Sequence, residues 1–255
     1  MEKFVLVTRG RTGSTAVLDE LGKSRVLFTA QELFTRSTPT DKQVNDYYKH
    51  KLLPPFDIWK KRGWWWKRMF PGNYSDPRQA YRYLLFAEKF VQRQGTNGFG
   101  WKVLSHHFDE RPYLAALLKQ HGHRVVYLRR NIARQVLSGR VARQRGIYNS
   151  REKVVDEHRY HINIDEYQWH VKFERECVKN DCAKLSAEGF DFVEVNYEDY
   201  CDNREVFFDK IFNLLNLPLE LPPPSDFQKM IEDPRRTIEN YDEVAKVAAE
   251  LGERL

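Results

Sequence analysis

The sequence predicts an α/β protein of three layers, α/β/α, built on a mostly parallel central sheet. Two observations support this prediction: short apolar runs alternate with stretches of helical periodicity, and the first run leads through a glycine-containing turn into a helix. A chain of 255 residues, 41% of them hydrophobic, is large enough to bury such a sheet between helices. We expect a single domain over 1–255, with no internal repeat.

The predicted strands are the five short apolar runs, at 4–7, 26–29, 100–104, 124–128 and 190–195. Helical periodicity occupies 14–21, 132–145 and, approximately, 111–120, 164–186, 203–215 and 237–251. Because strands and helices alternate along the chain, successive strands are expected to run parallel.

Residues 40–95 interrupt this alternation and are predicted to form a helical and aromatic insertion or lid. Their most unusual part, 47–74, holds the run Trp64-Trp65-Trp66 and other aromatic residues, interleaved with lysine and arginine. It could be a peripheral subdomain that packs its own rings. It could also be a cap for an acceptor, because aromatic rings stack on sugar faces and cations hold anionic groups. A nucleic-acid or membrane-surface role ranks third.

The net charge of +6 indicates an anionic partner. No apolar run approaches the ~18–20 residues that span a bilayer, and the apolar stretch at the N-terminus is too short for a signal peptide. The three cysteines, Cys177, Cys182 and Cys201, are too few for a disulfide framework. We therefore expect a cytoplasmic protein without a membrane span.

The turn after the first predicted strand is a candidate anion site. It reads Thr8-Arg9-Gly10-Arg11-Thr12-Gly13-Ser14-Thr15. Backbone N–H groups and the helix dipole favour a phosphate-like anion at such a turn, and glycine permits close approach. The turn is P-loop-like, but it lacks the G-x-x-x-x-G-K-[ST] spacing of an ATP-binding loop. An ordinary turn with a serine cap is the alternative.

A second candidate anion site follows the strand at 124–128, where the sequence reads Arg129-Arg130-Asn131. Asn131 can cap the next helix, Arg130 projects from the strand end, and Ser138 lies about two turns into that helix. An arginine fork and a hydroxyl can converge on one phosphate. ATP-binding P-loop proteins commonly place a metal-binding aspartate here, so the cationic position predicts no metal. A surface helix with a basic face is the alternative.

Together, the two motifs resemble those of the sulfotransferase superfamily that uses 3′-phosphoadenosine 5′-phosphosulfate (PAPS). The family loop [KR]-[ST]-G-[ST]-[ST] matches Arg11-Thr12-Gly13-Ser14-Thr15, and a strand-end arginine with a serine eight residues on matches Arg130 and Ser138. The chain looks most like the bacterial carbohydrate branch, which includes trehalose and Nod-factor sulfotransferases. The matches to this branch are Gln31-Glu32, Gln135-Val136-Leu137-Ser138-Gly139-Arg140 and Ile238-Glu239-Asn240-Tyr241-Asp242-Glu243. The Lys-Gly-x-x-Gly-Asp-Trp-Lys segment of cytosolic small-molecule enzymes does not occur in the sequence.

The resemblance implies an enzyme that moves a sulfuryl group from PAPS to a hydroxyl of a carbohydrate or related small-molecule alcohol, without a metal. It implies that Arg130 and Ser138 hold the 3′-phosphate, while Arg11 and the loop stabilise the leaving phosphate and the sulfuryl oxygens. The predicted nucleotide-binding residues are Arg9, Gly10, Arg11, Thr12, Gly13, Ser14, Thr15, Arg130 and Ser138.

Glu32 is the first candidate for the catalytic base. It follows the second strand, near the carboxyl ends where open α/β sheets bind ligands, and the resemblance gives it that role. It could instead cap a helix start at 33–34. His107, with its neighbour His106, is the second candidate, because some cytosolic small-molecule enzymes place a histidine after a comparable strand. A packed, hydrogen-bonded histidine turn is the alternative there.

Two other functions are compatible with the same residues. One is a P-loop-like kinase that uses ATP and Mg²⁺, which would need a metal ligand that the sequence does not suggest. The other is a basic nucleic-acid-binding protein, favoured by the net charge and the tryptophan-rich segment. The sequence does not identify the acceptor, and it leaves a homodimer open.

Overall fold

Five parallel strands form the central sheet of the protein, seen in a computed structural model that describes residues 1–36, 53–62, 75–154 and 158–255. In chain order they are β1 (Glu2–Thr8), β2 (Leu27–Ala30), β3 (Gly98–Leu104), β4 (Arg124–Arg129) and β5 (Phe192–Asn196). Their spatial order is β2-β3-β1-β4-β5. The loops after β1, β3 and β4 therefore start side by side at one edge, because Thr8 is in register with both Leu104 and Leu128.

Helices connect and cover these strands. In the described residues they are α1 (Ser14–Leu21), α2 (Phe56–Arg62), α3 (Asp76–Gln92), α4 (His106–Glu110), α5 (Leu114–Gln120), α6 (Ile132–Arg145), α7 (Ile164–Ala187), α8 (Tyr197–Asp202), α9 (Arg204–Leu214), α10 (Pro234–Thr237) and α11 (Tyr241–Glu250). All five predicted strands are present, and the predicted three-layer α/β/α class with a parallel sheet is confirmed.

The core lies on both faces of the sheet. On one face, buried side chains of α3, α5 and α7 pack against Val5, Trp101 and Tyr127. On the other face, α1 and α9 pack against Phe4, Leu6 and other strand residues. A third cluster joins α6, α7 and α11 beside the sheet. The strands carry long apolar runs because both of their faces are covered.

The segment predicted as an insertion or lid, 40–95, includes a core helix. In α3, the residues Gln79, Ala80, Tyr83, Leu84, Ala87 and Val91 are buried. Helix α3 immediately precedes β3, which pairs parallel to β2, so it belongs to the crossover between these strands. Trp64-Trp65-Trp66 and most of 47–74 lie outside the described residues.

None of the helices in the described part of the chain is both long and apolar enough to cross a membrane. Cys177, Cys182 and Cys201 are free thiols.

Candidate active site

The turn between β1 and α1 contains two residues with positive φ angles, a conformation that favours glycine. Arg11 and Gly13 adopt positive φ angles of 67° and 82°, and Gly13 is the N-cap residue of α1. A Cβ atom on Gly13 would lie 2.1 Å from the Tyr197 ring, whereas a Cβ on Gly10 would meet no atom within 4 Å. Gly13 is therefore required by both conformation and packing, while Gly10 is not required by packing.

A cavity of about 340 Å³ opens above this turn, at the carboxyl edge of the sheet. It is lined by Gly10, Arg11, Gly13, Ser14, Thr15, Ala16, Glu32, Lys102, Leu104, Arg130, Ser138, Tyr148, Asn149, Tyr197, Tyr200, Phe227, Gln228, Lys229, Met230 and Ile231. The two predicted anion sites and the first candidate base thus share one cavity, where ligands bind in open α/β sheets.

The two anion sites are joined by hydrogen bonds. The Arg11 guanidinium donates from Nη2 to Ser138 Oγ at 3.3 Å. Arg130 donates from Nη1 to the carbonyl of Arg11 at 3.0 Å, and its guanidinium carbon lies 4.8 Å from the centre of the Tyr197 ring. The turn after β1 and the start of α6 therefore form a single cationic surface.

Arg130 has unused capacity to bind an anion. Burial lowers the pKa of its guanidinium, and no carboxylate in the described ranges forms an ion pair with it. Its Nε atom is buried without a hydrogen-bond partner there. A buried cation with an unsatisfied donor is costly, and a bound phosphate group would satisfy both. The residues around Arg130 thus fit one anionic end of a nucleotide.

Glu32 and Lys102 form a buried ion pair across the ends of β2 and β3. Lys102 Nζ lies 2.8 Å from Glu32 Oε1 and 3.4 Å from Thr15 Oγ1. Burial, the largest single influence, raises the pKa of Glu32, but the ammonium of Lys102 together with smaller effects of His107 and His106 holds that pKa below its usual value. Glu32 is therefore an ionised carboxylate in the cavity lining, which is the protonation state that a general base requires.

His107 has a different environment from Glu32. Its side chain is buried, its Nδ1 accepts a hydrogen bond from the Leu104 N–H at 3.3 Å, and it does not line the cavity. Burial lowers its pKa to about 4, although the nearby Glu32 carboxylate opposes the shift. The structure thus places His107, buried and hydrogen-bonded, at the start of helix α4.

His106, His107 and Glu110 form a cluster with metal-ligand chemistry, because one ligand atom from each lies within 4.8 Å of the others. In His107, Nδ1 already accepts the Leu104 N–H, so a metal would have to bind the other ring nitrogen. That nitrogen carries the proton when the imidazole is neutral, so this geometry does not favour a metal.

Arg9 and Thr12, both predicted nucleotide-binding residues, lie outside the cavity lining. Arg9 makes a double hydrogen bond to Glu174 on α7, with distances of 3.0 and 3.1 Å. The buried hydroxyl of Thr12 bonds to that of Thr8 inside the turn. Their side chains hold the turn together, while Arg11, Ser14 and Thr15 face the cavity.

Two segments that the sequence analysis did not single out also line the cavity: the loop after α6, with Tyr148 and Asn149, and residues 227–231. We call these two segments the roof. Arg11 donates to the carbonyl of Tyr148, the Gln228 N–H donates to the Ser150 carbonyl at 2.9 Å, and Arg145 donates to the Met230 carbonyl at 2.7 Å. These bonds tie the loop after α6 to the turn after β1, and they tie this loop and the last residue of α6 to residues 227–231. Tyr148, Asn149 and residues 227–231 thus line the cavity together.

The segment that precedes 227–231 is bound to α1, the helix that begins at the turn after β1. Ser225 donates from its backbone N–H to Glu20 at 3.2 Å and from its hydroxyl to Asp19 at 2.9 Å. Arg204 also pairs with the buried Glu20 carboxylate. The segment before 227–231 is thereby held against the same helix that positions Ser14 and Thr15.

Sequence reasoning missed several lining residues. Lys102 carried a usable signal, because it is the one charged residue in the strand Gly98–Leu104, but its pairing with Glu32 depends on the sheet order. Tyr197, Phe227 and Lys229 gave no local signal, since they reach the cavity only through long-range packing.

No protein-family model and no curated protein matches the chain. Among solved structures, it is similar in fold to a sulfotransferase domain from the curacin biosynthetic pathway, with 13% identity, a TM-score of 0.47 and coverage of 100% of this chain and 99% of that one. A sulfotransferase from Alicyclobacillus acidocaldarius is similar with 12% identity and a TM-score of 0.45, and the match covers 100% of this chain and 97% of that one. A sulfotransferase domain from the olefin synthase of Synechococcus PCC 7002 is similar with 12% identity and a TM-score of 0.47, and the match covers 99% of this chain and 95% of that one. These similarities concern the fold alone.

Proposed function

We propose that this chain is a sulfotransferase, which moves a sulfuryl group from PAPS to a hydroxyl of a carbohydrate or related small-molecule alcohol. One observation carries the proposal: a single cavity holds the Arg11–Ser138–Arg130 cationic surface and the Glu32–Lys102 ion pair. A cationic surface beside an ionised carboxylate suits group transfer from an anionic donor to a hydroxyl. The motif resemblance, which covers Arg11 to Thr15 and Arg130 with Ser138, supports the donor.

The donor nucleotide would be bound at both of its anionic ends. Arg130 and Ser138 would hold the 3′-phosphate, and Arg11 with the N–H groups of the turn would hold the 5′ end. Tyr200 and Phe227 line the same cavity and supply apolar surface for a purine ring. When bound, PAPS supplies the sulfuryl group and a 5′-phosphate leaving group.

The acceptor hydroxyl would approach the Glu32 side of the cavity. Glu32 takes the proton from this hydroxyl as the acceptor oxygen forms its new bond, and Lys102 offers a positive charge where negative charge develops. Both groups are fixed by the sheet edge, so they need little rearrangement during the reaction. A carbohydrate acceptor is supported by the Gln31-Glu32 match to the bacterial carbohydrate branch.

Binding of 3′,5′-adenosine bisphosphate in a buffer with a metal chelator tests the donor site. We expect a rise in Tm that saturates with nucleotide concentration, together with transfer of labelled sulfuryl from PAPS to alcohols in an acceptor screen. No stabilisation at millimolar nucleotide would overturn the proposal.

The same measurements separate the alternatives. A kinase would be stabilised by ATP only with Mg²⁺ and would turn it over. The acidic residue that lines the described cavity is Glu32, and it is already paired with Lys102, which favours the sulfotransferase. A nucleic-acid-binding protein would bind oligonucleotides in a salt-sensitive manner.

A further inference from the structure

Helix α3 has a solvent face that the proposed reaction does not use. Its inner face is buried in the core, but Tyr81, Leu85 and Phe86 on the outer face remain 38%, 36% and 38% exposed. Large apolar side chains that stand in a row on a surface mark an interaction site more often than scattered ones do. The row belongs to a 17-residue helix, so its geometry is fixed.

The same face is cationic. Arg82, Lys89 and Arg93 are exposed between and beside the apolar residues. The two acidic residues of this helix are engaged elsewhere, since Asp76 pairs with Lys60 and Glu88 contacts Lys3 and His121. The outer surface of α3 therefore combines apolar side chains with positive charge.

A shallow space of about 370 Å³ runs along this surface. In the part of the chain that the structure describes, its lining residues are Arg82, Leu85, Phe86, Lys89, Phe90 and Arg93, all on or directly after α3. Within the described residues, this lining comes from one exposed helix face. We call these six residues with Tyr81 the α3 ridge.

We propose that the α3 ridge docks on an anionic lipid surface. A helix face with Lys and Arg beside Phe, Leu and Tyr is suited to the bilayer interface, where the rings enter the headgroup boundary and the cations meet anionic lipids. A bilayer suits this face because exposed apolar side chains and cations lie side by side along one helix. A second copy of this chain would bring like charges together, and a nucleic acid would gain little from exposed Leu85 and Phe86.

Sedimentation with vesicles tests the proposal on the full chain. We expect binding to vesicles of phosphatidylcholine with phosphatidylserine, little binding to phosphatidylcholine alone, and weakening as salt rises. The variant Arg82→Glu/Lys89→Glu should lower the bound fraction about tenfold or more. Leu85→Ser should also lower it while leaving charge unchanged.

The matched control is Lys172→Glu/Lys179→Glu, which makes the same change of charge at two exposed positions on α7. It should keep vesicle binding close to that of the unchanged protein. Equal losses in both charge-reversal variants, or no binding of the unchanged protein to anionic vesicles, would overturn the proposal. Capture of polyglutamate through Arg82 and Lys89 in the absence of vesicle binding would assign the ridge to an acidic protein partner instead.

Discussion

The ammonium group of Lys102 lies 2.8 Å from the carboxylate of Glu32 at the carboxyl edge of the sheet. The Lys102 side chain is only 3% exposed, so water does little to screen its charge. Each group comes from the end of a different strand, β2 or β3, and parallel pairing brings the two ends together. This pair keeps a buried carboxylate ionised in the lining of the cavity.

Replacement of Glu32 by Gln should remove the proposed base and leave the cavity shape almost unchanged. We expect kcat to fall by about 10²–10⁴-fold, the usual contribution of a general base. The rise in Tm with 3′,5′-adenosine bisphosphate should persist, because Glu32 is not part of the Arg11–Arg130 surface. Glu110→Gln, which alters a carboxylate outside the cavity lining, is the control. Retained turnover in Glu32→Gln would assign the role of base to His106 or His107.

Replacement of Lys102 by Met should move the acid limb of the pH dependence of kcat/KM to higher pH. Without the ammonium, burial dominates and the pKa of Glu32 rises, so the base becomes protonated at a higher pH. In the unchanged protein the limb should lie below about pH 4.3, the ordinary value for Glu. Lys184→Met, at a lysine on α7 paired with Asp109, should leave the limb in place. An unmoved limb in Lys102→Met would show that Glu32 does not control it.

The sheet, and the residues after β1 and β4 that line the cavity, could be predicted because their signals are local. A short apolar run followed by a glycine turn or by Arg129-Arg130-Asn131 contains what is needed to place a strand end and a helix start. The roof over the cavity could not be predicted, because Tyr148 and residues 227–231 meet only after α6 and the C-terminal segment have packed. Arg9 was assigned to the site by its position in the turn, but Glu174, 165 residues away, holds its side chain.

Arg130→Ala should abolish tight nucleotide binding, whereas Arg129→Ala should not. Arg130 is buried against Tyr197 and has no carboxylate partner in the described structure, while Arg129 is exposed and paired with Glu194. The loss of one partner in a buried charged hydrogen bond costs about 2–5 kcal/mol. Isothermal titration with 3′,5′-adenosine bisphosphate should therefore show Kd raised by at least about 30-fold in Arg130→Ala. Equal effects of the two substitutions would contradict the assignment of the second anion site.

Gly13→Ala and Gly10→Ala should differ strongly, although both lie in the same turn. An alanine at Gly13 would clash with the Tyr197 ring and would have to adopt a φ of 82°, whereas one at Gly10 would meet nothing within 4 Å. We expect Gly13→Ala to lower the free energy of unfolding by about 1–3 kcal/mol and to lose nucleotide binding. Adding Tyr197→Ala to Gly13→Ala should recover only part of this stability, because the backbone strain remains. Denaturant titration of the single and double variants measures the loss of stability and its partial recovery.

His123 should make the fold sensitive to acid. Its side chain is buried, and its Nε2 accepts a hydrogen bond from Trp101 Nε1 at 3.3 Å. Burial, with smaller effects of Lys3 and His121, lowers its pKa to about 3. The folded protein therefore holds the neutral imidazole, and the unfolded chain takes up a proton as pH falls below about 6.5. His123 therefore leaves the free energy of unfolding unchanged above that pH and lowers it progressively as pH falls towards 3.

The loss between pH 7 and pH 4.5 should amount to about 3 kcal/mol from His123 alone, and His107 should add to it as pH falls towards 4. In His123→Gln, the amide oxygen can still accept from Trp101, but no proton is taken up at this position on unfolding. Denaturant titrations across this range should show a shallower fall in the free energy of unfolding for this variant than for the unchanged protein. His158→Gln, at an exposed position, is the control. If His123→Gln and the unchanged protein lose stability in parallel, His123 is not the source of acid sensitivity.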